Sequence, residues 1–118
     1  MVKAALVILA GTELREGLGR VVNALTTAKE LRASGDEAVV VFDGAGTQWI
    51  ATLADETHRY HALFEQARPA VRGACDYCAE AYGVRDQVEA AGIPLLDEYE
   101  RHPSLRSLLV DGYDVVTF

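Results

Sequence analysis

The sequence predicts a doubly wound α/β fold, with a mainly parallel five-stranded sheet carrying helices on both faces, of the flavodoxin or Rossmann-like kind. Three observations carry that prediction. Residues 3–9 and 37–42 are continuous apolar runs, as strands buried on both faces require. Between them, residues 14–33 repeat apolar side chains at helical spacing, at Leu18, Val21, Val22, Leu25, Ala28 and Leu31. The strand–helix alternation then continues along the chain without an internal repeat, low-complexity run or linker. At 118 residues, this reads as one domain able to bury a full core.

Each element has a local reason. Gly11 breaks the first strand, and Ser34-Gly35 closes the long helix with a residue suited to a left-handed cap. Two strands joined by such a helix run parallel, because a direct hairpin is impossible. Residues 43–47 form a glycine-rich turn leading into a helical stretch over residues 48–68, interrupted at 56–61 where polarity rises. A third strand covers residues 70–74, with a short helix at 76–82 and another at 84–91, closed by Gly92. Residues 93–96 are a fourth strand, and residues 103–110 a helix with Pro103 in its first turn. Residues 113–118 complete the sheet as a fifth strand.

Composition narrows the partners. Eighteen acidic against eleven basic residues give a net charge of −7, and the basic residues never cluster, which argues against direct binding of nucleic acid. The apolar run at residues 4–10 is too short to span a membrane. The expectation is a cytoplasmic protein whose two cysteines are reduced thiols or a redox pair rather than a structural staple.

Both cysteines fall in Cys75-Asp76-Tyr77-Cys78-Ala79, where the third strand gives way to a helix. A thiol at a helix start meets unsatisfied backbone N–H groups, which favour its reactive thiolate. Cys75 is therefore the candidate nucleophile, with Cys78, one helical turn on, as a thiol able to close a disulfide with it. The competing reading is two small apolar side chains filling space. Ligands of open parallel sheets bind at the carboxyl ends of strands. That edge adds Gly11, Thr12, Gly44, Gly46 and Thr47 as candidate ligand-binding residues, with a simple tight turn as the alternative for the glycines. His58 and His61 with the two cysteines could make a zinc set, but the spacing matches no zinc module, so neither a metal nor a cofactor is expected. His102 reads as a residue at the start of the last helix, a place beside Cys75 being the alternative.

Residues 19–25, 42–49, 75–84, 102–104 and 112–118 together resemble the DsrE/DsrF-like family, which includes the sulfur-relay subunits of the TusBCD type. The resemblance covers nearly the whole chain and implies a compact single-domain member that assembles as a homo-oligomer, a trimer or hexamer. It implies that Cys75 is a persulfide carrier, followed by the small residue Ala79 and closed by Gly83-Val84. Two positions depart from the relay pattern: Tyr82 stands where an arginine is common, and Cys78 is an additional cysteine. The expected function is a sulfur carrier or sulfurtransferase with a donor or acceptor protein as partner. The alternative is a non-enzymatic module, redox-sensing or binding a small ligand, that depends on Gly44 and Gly46 more than on Cys75.

Overall fold

The two apolar runs become the centre of the sheet. In a computed structural model describing residues 1–118, β1 (Lys3–Ile8) and β2 (Glu37–Phe42) pair in parallel, from Lys3 opposite Glu37 to Ile8 opposite Phe42. The helix between them, α1 (Arg15–Ala33), buries Val21, Ala24, Leu25 and Ala28, the stripe set by its spacing. After β2, a 3-10 turn (Gly44–Thr47) leads into α2 (Gln48–Ala54), a break, and α3 (His61–Ala67). The break coincides with the polar stretch expected there. A second 3-10 turn (Arg68–Ala70) feeds β3 (Val71–Cys75), so Cys75 ends the strand and also caps the next helix. Then come α4 (Asp76–Ala81), α5 (Arg85–Ala90), the two-residue β4 (Leu95–Leu96), α6 (Leu105–Val110) and β5 (Asp114–Thr117).

All neighbouring strands are parallel, in the order β4-β3-β2-β1-β5. The chain steps outward from β1 to β4, then returns across the sheet to β5. Right-handed crossovers put the three outward connections on one face and the returning one on the other. The packing agrees. Helices α1 to α5 cover Ala4, Leu6, Ile8, Val40 and Phe42, whereas α6 covers Ala5, Val7 and Val41 through Leu108. Helices thus lie on both faces, as expected, but very unequally.

Two boundaries differ from expectation by more than one residue. The fourth strand shrinks to two residues, because Ile93 and Pro94 precede the register that pairs Leu95 with Ala74. Pro103 lies before the last helix, whose cap is Ser104; the Ser107 N–H donates to the Ser104 hydroxyl at 3.1 Å. No helix is long and apolar enough to cross a membrane.

Candidate thiol site at the carboxyl edge of the sheet

Strand ends deliver the site. Asp43 follows β2, Cys75 ends β3, and Cys78 lies in the first turn of α4. The fourth member, His102, arrives on the turn ahead of α6. One ligand-capable atom from each of Asp43, Cys75, Cys78 and His102 lies within 4.8 Å of all the others. Cys75 Sγ is 3.1 Å from His102 Nδ1 and accepts the Cys78 N–H at 3.3 Å. Cys78 Sγ donates to Asp43 Oδ1 at 3.6 Å. The Tyr77 ring lies 5.1 Å from the imidazole of His102.

Burial separates the two thiols. Cys75 is 0% exposed, while Cys78 is half-buried. Loss of water pushes the Cys75 thiol up to about 12; the Cys78 amide offsets part of that rise, and the Asp43 carboxylate adds to it. This corrects the expectation that the helix start lowers the thiol pKa. Helix α4 is only six residues long, and its field cannot replace the water removed from a fully covered sulfur. Cys75 is thus held as a thiol that donates to the Arg101 carbonyl at 3.7 Å, with the His102 Nδ1 atom 3.1 Å from its sulfur.

The turn that supplies His102 is anchored by charge. Tyr99 and His102 exchange both backbone N–H···O bonds, at 2.9 and 2.8 Å, with Glu100 and Arg101 at positive φ between them. The Arg101 carbonyl accepts the Tyr77 N–H at 3.0 Å, and its guanidinium pairs with Asp76, at 2.9 Å, and with Glu80. Asp76 is buried and also pairs with Arg85. The Arg101 guanidinium, reinforced by Arg85, holds the Asp76 carboxyl below the ordinary carboxylate range. Sequence reasoning missed Asp76, Arg101 and the part played by Asp43. The paired polar residues Asp76 and Arg101 lie 25 positions apart, and no local pattern joins them.

The glycine-rich residues do something different. Asp43 Oδ1 accepts the Gly44 N–H at 2.8 Å, the Asp43 carbonyl accepts the Gly46 N–H at 2.9 Å, and the buried Thr47 hydroxyl donates to the Gly44 carbonyl. These groups are satisfied within the turn. Gly44 has φ +53°, and a Cβ on Gly46 would meet the Ile8 carbonyl oxygen at 2.1 Å. Thr12 donates through its N–H and hydroxyl to Gln48 Oε1, at 3.3 and 3.4 Å. Gly11 lines a separate cleft of about 390 Å3 with Glu13, Glu16, Gln48 and Tyr82. Two carboxylates on that wall oppose an anionic ligand. His58 and His61 stand apart from the thiols: His58 Nδ1 accepts the Tyr60 N–H, and His61 Nδ1 bonds to the Leu53 carbonyl.

Comparisons with known proteins place the architecture. No family model matches the chain. The uncharacterized protein MJ0733 of Methanocaldococcus jannaschii is 27% identical over 92 residues, covering 78% of this chain and 74% of that protein. Among solved structures, the conserved protein of unknown function BT1422 from Bacteroides thetaiotaomicron superposes with a TM-score of 0.64 at 18% identity. That match covers 97% of this chain and 94% of the other. The second likeness shows that the compact α/β fold is shared.

Proposed function

We propose that this protein is a cytoplasmic sulfur carrier in which Cys75 takes up a sulfane sulfur as a persulfide. The observation that carries the reading is the His102 Nδ1 atom 3.1 Å from Cys75 Sγ, with a second thiol alongside. A thiol held protonated by burial needs a base at the moment of attack, and the imidazole is within proton-transfer reach. As Cys75 attacks the outer sulfur of a donor persulfide, its proton passes to His102. The donor S–S bond breaks and a new one forms on Cys75. The leaving donor thiolate then takes the proton, so no electrons are gained or lost overall. Cys78 can discharge the carrier: its thiol attacks Cys75 sulfur, closing a disulfide and releasing hydrogen sulfide.

Cys75 is covered by the turn carrying Arg101 and His102, so uptake requires that turn to lift. The partners in this reading are a donor persulfide protein and an acceptor thiol, and the working form is a homo-oligomer. Intact-mass spectrometry after incubation with a persulfide donor tests it. Wild type should gain one sulfur atom, Cys75→Ser none, and His102→Ala should gain it about 100-fold more slowly or worse. Uptake that persists in Cys75→Ser rejects the assignment.

The competing reading, a ligand-binding module, is favoured by the cleft beside Gly11, whose volume falls in the range of small-molecule sites. Its acidic wall would select a neutral or cationic ligand. Sulfur uptake abolished by Cys75→Ser but unchanged by Glu13→Gln and Glu16→Gln would separate the two readings.

A further inference from the structure

We propose that Asp43, Cys75, Cys78 and His102 are the four ligands of a single Zn2+ ion. The proposal does not rest on sulfur transfer; it rests on convergence. Four side chains from three strand-end or helix-start positions and one turn bring two sulfurs, an imidazole nitrogen and a carboxylate oxygen within 4.8 Å of one another. Ligand atoms around a tetrahedral zinc ion, with bonds near 2.0–2.3 Å, are about 3.3–3.8 Å apart. The Cys75–His102 and Cys78–Asp43 separations, 3.1 and 3.6 Å, already bracket the lower part of that range. Closing the widest pair asks for about an ångström of side-chain movement.

The surroundings suit a metal. The Cys78 N–H points at Cys75 Sγ, where it would stabilise a metal-bound thiolate, and the Gly44 N–H orients the Asp43 carboxylate. Two thiolates and an imidazole favour zinc over magnesium or calcium, which take oxygen ligands. Binding would release the two thiol protons to solvent and move no electrons. With four protein ligands the ion has no open position, so it would hold structure rather than activate water. It would tie the Tyr99–His102 turn to the ends of β2 and β3. A metal-bound Cys75 sulfur cannot also attack a persulfide, so zinc and sulfur would occupy the site in turn.

Cobalt substitution reads this directly. The reduced, chelator-stripped full chain should bind one Co2+ with thiolate-to-cobalt charge-transfer absorption and tetrahedral d–d bands, and Zn2+ should displace it. Cys75→Ser and Cys78→Ser should each diminish the charge-transfer band. His102→Ala and Asp43→Ala should weaken binding more than ~10–100-fold, the cost of losing even an outer partner. A His58→Ala, His61→Ala double variant should bind as wild type does. Failure of wild type to bind Co2+ stoichiometrically, or binding unchanged without both cysteines, overturns the proposal. If circular dichroism shows that a cysteine variant is unfolded, His102→Ala, altered only on an outer turn, decides in its place. Sulfur uptake is measured separately on the stripped protein. Uptake without Co2+ binding rejects the metal site alone, and Co2+ binding without uptake rejects the sulfur carrier alone.

Discussion

The turn after β2 and the junction after β3 leave adjacent strands on the same sheet edge, yet they use their polar groups in opposite ways. Between Asp43 and Thr47 the amides of Gly44 and Gly46 and the Thr47 hydroxyl are spent on the turn itself. Between Cys75 and Cys78 an amide and two sulfurs are directed inward to a shared point, which His102 and Asp43 complete. Glycine after a strand therefore does not make a ligand cradle by itself; free donors do. Here the glycines allow the backbone to approach, and the chemistry is carried by side chains on the neighbouring strand. Asp43 links the two regions, since one oxygen both caps the turn and receives the Cys78 thiol.

The hardest test of that contrast is Gly46→Ala. A Cβ 2.1 Å from the Ile8 carbonyl oxygen cannot be accommodated by a rotamer change, because the obstacle is the backbone of β1. The substitution should cost about 3 kcal/mol or more of stability, as overpacking of a core does at its upper end. Urea unfolding measures it. A loss below about 1 kcal/mol would mean the turn has room, and would return Gly46 to consideration as a contact for a ligand.

Asp76→Asn should act next most strongly, and on the other side of the contrast. The carboxylate is buried, but its partners Arg85 and Arg101 are 42% and 45% exposed in their side chains, which screens the pairs. A loss of about 1–2 kcal/mol follows. Because the folded-state pKa of Asp76 is lowered, its contribution is complete above the ordinary value of 3.8 and disappears as pH falls through the lowered one. The gap between wild type and variant should thus be full at neutral pH and close in acid. Loosening Arg101 also frees the turn over Cys75, so alkylation of that thiol should accelerate about 5–30-fold if it proceeds by local opening. An unchanged rate would show that reagents reach Cys75 by another path.

These two regions were not equally legible. β1 and β2 were readable because strands buried on both faces leave an unbroken apolar run, and α1 because one stripe must face the sheet. The position of Cys75 at a strand end was readable from the change there from a short strand-like run to a helical pattern, although Arg72 interrupts the run. Its pKa was not, since local sequence reports the helix start but not the covering turn 26 residues away. His102 was read first as a residue at the start of the last helix, with a place beside Cys75 as the alternative. Its meeting with Cys75 depends on a turn whose central residues, Glu100 and Arg101, carry no turn signal, and on Asp76, whose partner lies far along the chain.

That turn yields the smallest and most discriminating prediction. Glu100 and Arg101 have φ of 48° and 66°, and two consecutive positive values are what a primed hairpin turn requires. Asn-Gly is favoured there, whereas an ordinary side chain costs about 1–2 kcal/mol in the left-handed region. Such strain persists when surrounding contacts over-determine it, and here Arg101 is held by Asp76 and Glu80 while His102 reaches Cys75. Glu100 has no such bond, so its conformation can be relieved without disturbing the site. Glu100→Asn should raise stability by about 0.5–1 kcal/mol and slow Cys75 alkylation a few-fold, opposite in sign to Asp76→Asn on both measures. If Glu100→Asn instead leaves both stability and the alkylation rate unchanged, the strain does not lie at Glu100. The turn would then be governed by its ion pairs rather than by its backbone.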